Sequence, residues 1–113
     1  MKADAGTEAA VMSTLRKLFE GYESRDMDSV LSCHAPDPDL VCIGTGVDEK
    51  SLGLDEVRTH LERDLAQSEA VSIELGWSSV SAAGSVAWVA GDSIIHVKVS
   101  GQEVVYHSET DWA

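Results

Sequence analysis

The apolar residues of this chain change their period partway along. Val11, Met12, Leu15, Leu18, Phe19 and Tyr22 recur at spacings of three and four, the mark of one helix face. From Val71 the spacing drops to two, because Val71, Ile73, Leu75 and Trp77 alternate with Ser72, Glu74 and Gly76 as in a strand covered on one side. A chain that starts helical and ends in alternating strands folds as α+β, with its helices packed on an antiparallel sheet.

Local signals place the elements. Thr7 is the expected N-cap of the first helix, with Glu8 well placed against the positive end of its dipole. Gly21 is expected in its last turns, before the polar break Glu23-Ser24-Arg25. Asp26 should cap a second helix carrying Met27, Val30 and Leu31, which Pro36 and Pro38 stop because they cannot supply helical donors. Leu40-Val41-Cys42-Ile43 reads as a short strand buried on both faces, followed by a Gly44-Thr45-Gly46 turn and a solvated Asp48-Glu49-Lys50 loop. Asp55 is a candidate cap for a third helix whose stripe is Val57, Leu61 and Leu65, running to about Gln67.

Three long strands follow. Ser81-Ala82-Ala83-Gly84 is an expected turn, Val86 to Val99 a strand, and Ser100-Gly101 the two-residue turn returning the chain along Glu103 to Trp112. That turn fixes a register in which Asp92 opposes Glu109, Ile94 opposes His107 and His96 opposes Val105. One face of the hairpin then carries Asp92, His96, His107, Glu109 and Asp111, with Trp88 at one end. The other carries Val89, Gly91, Ser93, Ile95 and Val97 against Val104, Tyr106, Ser108, Thr110 and Trp112.

Bulk properties narrow the functions. A chain of 113 residues holds one core, so residues 1–113 form a single domain. The net charge of -12 repels phosphate backbones and anionic lipid, which argues against nucleic acid and membrane surfaces as partners. The start lacks the apolar core of a signal peptide and no segment approaches the ~18 apolar residues of a membrane helix, so a cytoplasmic protein is expected. Cys33 and Cys42 have no matching Cys/His pair, which makes them free, mostly buried thiols rather than metal ligands. No cofactor and no metal are expected, because the spacing of Cys33, His34, Cys42 and His60 follows no zinc pattern.

The stretch Asp26-Met27-Asp28-Ser29-Val30-Leu31, then Pro38 to Gly46, then Asp48-Glu49 and Gly53 to Arg58, with Val86 to Asp92 later, resembles the SnoaL-like branch of the nuclear transport factor 2-like superfamily. The resemblance implies a cone in which three N-terminal helices pack on a curved antiparallel sheet, with a pocket between them, commonly in a homodimer. The sequence ends at Trp112-Ala113, and the family's usual last strand is expected to be missing. An unpaired edge strand invites pairing, so a homodimer is expected, with oligomerisation or strand exchange at that edge as its route. Steroid isomerases of this fold carry a carboxylate at the end of the first strand and a tyrosine on the first helix. Ile43-Gly44 and Leu18-Phe19 stand at those places here, and none of them can move a proton, so that mechanism does not carry over.

Three readings of function remain. The first is a binder of a small, largely apolar molecule lined by Phe19, Tyr22, Trp77, Tyr106, Ser108 and Thr110, because the more apolar hairpin face suits a concave wall. The second is a lyase, isomerase or cyclase working by general acid–base catalysis, with His34 or Asp92 as base and a tyrosine or tryptophan as donor. The third is a protein–protein interaction module with a filled cone. A histidine following Cys33 at a helix end is well placed against the dipole, which gives His34 an ordinary capping role beside the catalytic one. His60, beside the Val57-Leu61 stripe, reads as a surface residue.

Overall fold

The computed structural model describes the backbone of residues 1–43 and 50–112, with side chains up to Cys42 and from Lys50 to His107. Helix α1 spans Ala5–Ser24 and α2 spans Met27–Ser32. Strands β1 (Val41–Ile43) and β2 (Lys50–Leu52) precede α3 (Leu54–Ala66). The long strands β3 (Ala70–Ala83), β4 (Val86–Val99) and β5 (Gln102–Trp112) close the chain. Two antiparallel sheets result, a ribbon of β1 and β2 and a three-stranded meander in the order β3-β4-β5.

The helix starts differ from the sequence expectation. Asp4, not Thr7, caps α1, since its carboxylate accepts the Thr7 backbone N–H at 2.7 Å. That bond also holds the Asp4 carboxyl below the usual value. Gly53 rather than Asp55 occupies the N-cap of α3, without a side-chain cap bond, and Asp55 sits in the first turn. Asp26 caps α2 as expected, accepting from the Ser29 N–H at 3.1 Å. Gly21 lies near the end of α1 where α2 crosses it. A Cβ there would meet Val30 Cγ2 at 2.8 Å, so the glycine sets how closely the two helices approach.

The β4–β5 pairing has the expected register, with Asp92 opposite Glu109, Ile94 opposite His107 and His96 opposite Val105. Its turn holds Ser100 at φ 51° and Gly101 at φ 77°, the two left-handed residues of a type I′ hairpin. The preceding turn is shorter than expected. Pairing runs on through Ala83↔Val86, so Ser81, Ala82 and Ala83 belong to β3 and the reversal is made by Gly84 and Ser85.

A second correction concerns alternation in β3. Leu75 pairs Ser93 but Ser78 pairs Gly91, leaving Gly76 and Trp77 together opposite Asp92. This bulge slips the phase by one, so Trp77 is not in step with Leu75 and is 64% exposed. The first strand is also corrected. Val41 is 54% exposed and Cys42 half-buried, because among the described residues β1 pairs with β2 alone and the ribbon leaves one face outward. Lys50 is in β2 rather than in a loop. The expected turn at Gly44-Thr45-Gly46 and loop at Asp48-Glu49 lie outside the described residues.

Two apolar clusters hold the layers. Leu15 and Phe19 of α1 pack on Val80 of β3 and Val89 of β4, with Ile73 and Leu75 beside them. Val30 and Leu31 of α2 pack on Val57 and Leu61 of α3. Leu18 touches both clusters, which makes α1 the layer between helices and sheet. Residues 1–3 run along the outer edge of β3, where Ala82 N donates to Met1 O at 2.8 Å.

Candidate functional site

Because Val89 packs on α1, the sheet face shared by Val89, Ser93, Ile95 and Val97 is the inner one. On β5 the same face carries Val104 and Tyr106, and the backbone register adds positions 108, 110 and 112. Helix α1 packs on β3 and β4. Across β5 the wall continues uncovered, with Val104 39% and Tyr106 55% exposed. Ser93, only 5% exposed, sets a buried hydroxyl in its middle. The outcome is an apolar wall that is filled near α1 and open toward the hairpin edge.

The residues singled out from sequence are not brought to one place. Phe19 is buried in the cluster that joins α1 to the sheet, and Tyr106 lies on the open wall. Tyr22 packs instead against the helical cluster of α2 and α3. Burial, then the charge of Asp64, then Cys42 push the Tyr22 hydroxyl above its usual pKa. Trp77, displaced by the bulge, lies outside the wall. Ser108 and Thr110 sit at inner-face register positions opposite Ser93 and Gly91, and their side chains lie outside the described residues.

The two candidate bases are separated from the wall by the fold. Asp92 is on the outer face of β4, since it alternates with Gly91 and Ser93. His34 follows the C-terminus of α2, where its Nδ1 lies 2.9 Å from Val30 O. A carbonyl only accepts, so Nδ1–H donates and closes the last turn of the helix.

A polar group that the sequence did not single out lies between β2 and α3. Ser51 is 4% exposed, and its Oγ is 2.6 Å from Nδ1 of His60, which is half-buried. The expectation of a surface His60 is thus corrected, because the imidazole is tied to a buried hydroxyl. Cys42 faces Ser51 across the ribbon, and burial raises its thiol pKa. The only sequence signal was the polar Ser51 beside Leu52 and the one-turn spacing of His60 and Asp64.

The outer face carries a second ionisable group. His96 Nδ1 is 2.5 Å from Glu103 Oε1 on β5, and its Nε2 is 3.8 Å from Glu74 Oε2 on β3. The Glu103 hydrogen bond raises the His96 pKa above 6.5, desolvation opposes this, and the charges of Glu103 and Glu74 add to it. A folded-state pKa above the unfolded one stabilises below the unfolded value and loses that stabilisation as pH rises through the folded value. NMR titration of the His96 ring is therefore expected to give a midpoint above 6.5 that drops in Glu103→Gln. An unchanged midpoint in that variant would show that the pair does not persist in solution.

Among the described residues no cluster of His, Cys, Asp and Glu could hold a metal ion, and no helix is long and apolar enough to cross a membrane. Both cysteines are free thiols and half-buried.

Solved structures share this architecture at low identity. A nuclear transport factor 2-like protein of unknown function from Pseudomonas putida superposes with a TM-score of 0.72 at 15% identity, over 95% of this chain and 87% of its own. An LEH-like epoxide hydrolase from Mycobacterium tuberculosis gives 0.65 at 16%, over 88% of this chain and 68% of its own. A candidate dehydratase from the same superfamily from Streptomyces avermitilis gives 0.72 at 18%, over 89% and 79%. These likenesses show the fold. No curated protein matches the sequence. The SnoaL-like domain family matches residues 11–108, most of both helical clusters and the sheet, and the chain belongs to that family, within the nuclear transport factor 2-like superfamily.

Proposed function

We propose that this domain binds a small, largely apolar molecule against the inner face of β4 and β5. The observation that carries the reading is the uncovered wall, where Tyr106 is 55% and Val104 39% exposed on β5 beside Ile95 of β4, while α1 packs on β3 and β4. An apolar wall with few polar groups is the composition of a ligand site. Binding has better support than catalysis, because Asp92 faces away from the wall and His34 is engaged at the end of its own helix. The superfamily's hydrolases and dehydratases keep acid–base chemistry as the second reading.

The same reading makes the domain a homodimer joined through the outer sheet face, where Trp77 and Val105 are exposed at 64% and 44%. Titration with the neutral fluorophore N-phenyl-1-naphthylamine tests the wall. Saturable 1:1 binding is expected, weakened about 10-fold or more in Tyr106→Asp, because a carboxylate on the wall must be desolvated. Absence of saturable binding sinks the reading, as does an unaffected Tyr106→Asp. Light scattering on the same sample should give twice the 12.1 kDa chain mass, and the single-chain mass removes the dimer.

A further inference from the structure

We infer that the inner wall takes an uncharged ligand bearing a hydrogen-bonding oxygen on an apolar body, and that the Tyr106 hydroxyl binds this oxygen. The inference rests on the binding reading above and adds the ligand's charge and the residue that recognises it.

The strand register sorts the sheet by charge. From Ala70 to Trp112 every Asp, Glu, His and Lys stands at an outer-face position, from Glu74 on β3 through Asp92, His96 and Lys98 on β4 to Glu103 on β5. The inner face carries none of them, in a chain of which 25% is charged. At its open end Val97 pairs Val104 and Ile95 pairs Tyr106. The α1 side chains that meet this face, Leu15 and Phe19 with Val11, Met12 and Leu18 beside them, are apolar too.

An ionised group laid on such a wall gives up water and meets no opposite charge, which costs far more than placing a neutral group there. Anions and cations are disfavoured alike. The net charge of -12 acts at longer range and would draw cations in. For a cation the two effects therefore oppose each other, and at about 0.15 M salt the long-range one fades beyond ~8 Å. The wall then decides.

Polar recognition falls to Tyr106. Ser93, 5% exposed, already has a partner within the fold. Tyr106 is 55% exposed, and among the described residues its hydroxyl makes no hydrogen bond. A phenol both donates and accepts, so it can bond a carbonyl or a hydroxyl oxygen. Its ring stands in register with Ile95, beside Val97 and Val104, so an apolar body has surface next to the polar handle.

Competition against N-phenyl-1-naphthylamine near neutral pH and at about 0.15 M salt tests both parts. The competitors share one ring system: naphthalene, 2-acetylnaphthalene, the anion 2-naphthoate and the cation 2-naphthylmethylammonium. Each ion should compete about 10-fold or more weakly than naphthalene. The ketone should compete about 2- to 10-fold better, the range of one net hydrogen bond. In Tyr106→Phe that advantage should fall to about one, the ratio being taken within the variant. Val104→Lys sets an ammonium on the wall at a position 39% exposed, and should make the anion a better competitor than the cation. The inference is overturned, while fluorophore binding stands, by an ion that matches naphthalene in the native domain, by a ketone advantage that survives Tyr106→Phe, or by ions that Val104→Lys does not reorder. Failure of the fluorophore to bind at all overturns the underlying reading instead.

Discussion

Replacing Phe19 with alanine should cost about 3–5 kcal/mol of folding stability, the range for emptying an aromatic site in a core. Phe19 is 7% exposed and lies with Leu15, Val80 and Val89 where α1 meets β3 and β4. The alternative, that Phe19 is a ligand-lining residue on an open surface, would give a loss within about 0.5 kcal/mol. Small domains have about 5–15 kcal/mol in total, so roughly a fifth or more of the stability is at stake. Urea denaturation followed by circular dichroism measures it. A loss under about 1 kcal/mol would mean that α1 is anchored elsewhere and that the inner wall is open along its whole length. The expected large loss also sets how ligand data on this variant are read, because weaker binding would then report a loosened helix as well as a lost contact.

Much of the fold was legible because the signals were local. The three-and-four spacing of Leu15, Leu18 and Phe19 did fall on the buried face of α1, and Asp26 did cap α2. The Ser100-Gly101 turn set the register of the last hairpin, since one two-residue reversal determines every pairing along two strands. Composition alone showed which of the two hairpin faces was apolar enough to meet a helix, and Val89 meets it.

What was not legible depended on contacts between distant positions. The bulge at Gly76-Trp77 leaves no pattern in the alternation around it and shows only in pairing with Asp92 and Gly91. A Cβ on Gly91 would come within 2.8 Å of Trp77 O, so the glycine and the bulge fit each other across strands. The Lys50–Leu52 strand was missed because a three-residue element has too little period to read, and its partner Val41–Ile43 lies across a connection. Ser51 and His60 were missed for a related reason. One lies on a strand and the other on a helix, and neither looks unusual until the fold sets them 2.6 Å apart. Candidate bases were sought instead where sequence clusters acids and imidazoles. The hairpin cluster around Asp92 and His96 proved to lie on the outer face.

Leu61→Ala should cost about 2–5 kcal/mol, and the loss should not be spread evenly. Leu61 is 3% exposed and, with Val57, is how α3 docks on Val30 and Leu31 of α2. The other ties of α3 are Leu54 and Leu65 near its ends, packed beside the same cluster, the mid-helix hydrogen bond of His60 to Ser51, and polar bonds near its ends. Arg25 donates to Leu65 O and to Ser68 O, the latter at 3.0 Å, and Leu52 N donates to Glu56 Oε1 at 2.9 Å. The Arg58–Asp28 pair at 3.7 Å is solvent-exposed and contributes little. Truncating Leu61 therefore leaves α3 attached at both ends, while its middle keeps Val57 and the Ser51–His60 hydrogen bond but loses its most buried apolar contact. Hydrogen exchange should accelerate across residues 54–66 well beyond any change in β3 and β4, whose core around Phe19 and Val89 is separate. Equal acceleration in both would show one cooperative core in place of two clusters. Because the inner wall is built by β4 and β5, N-phenyl-1-naphthylamine should still bind it in this variant with its affinity little changed.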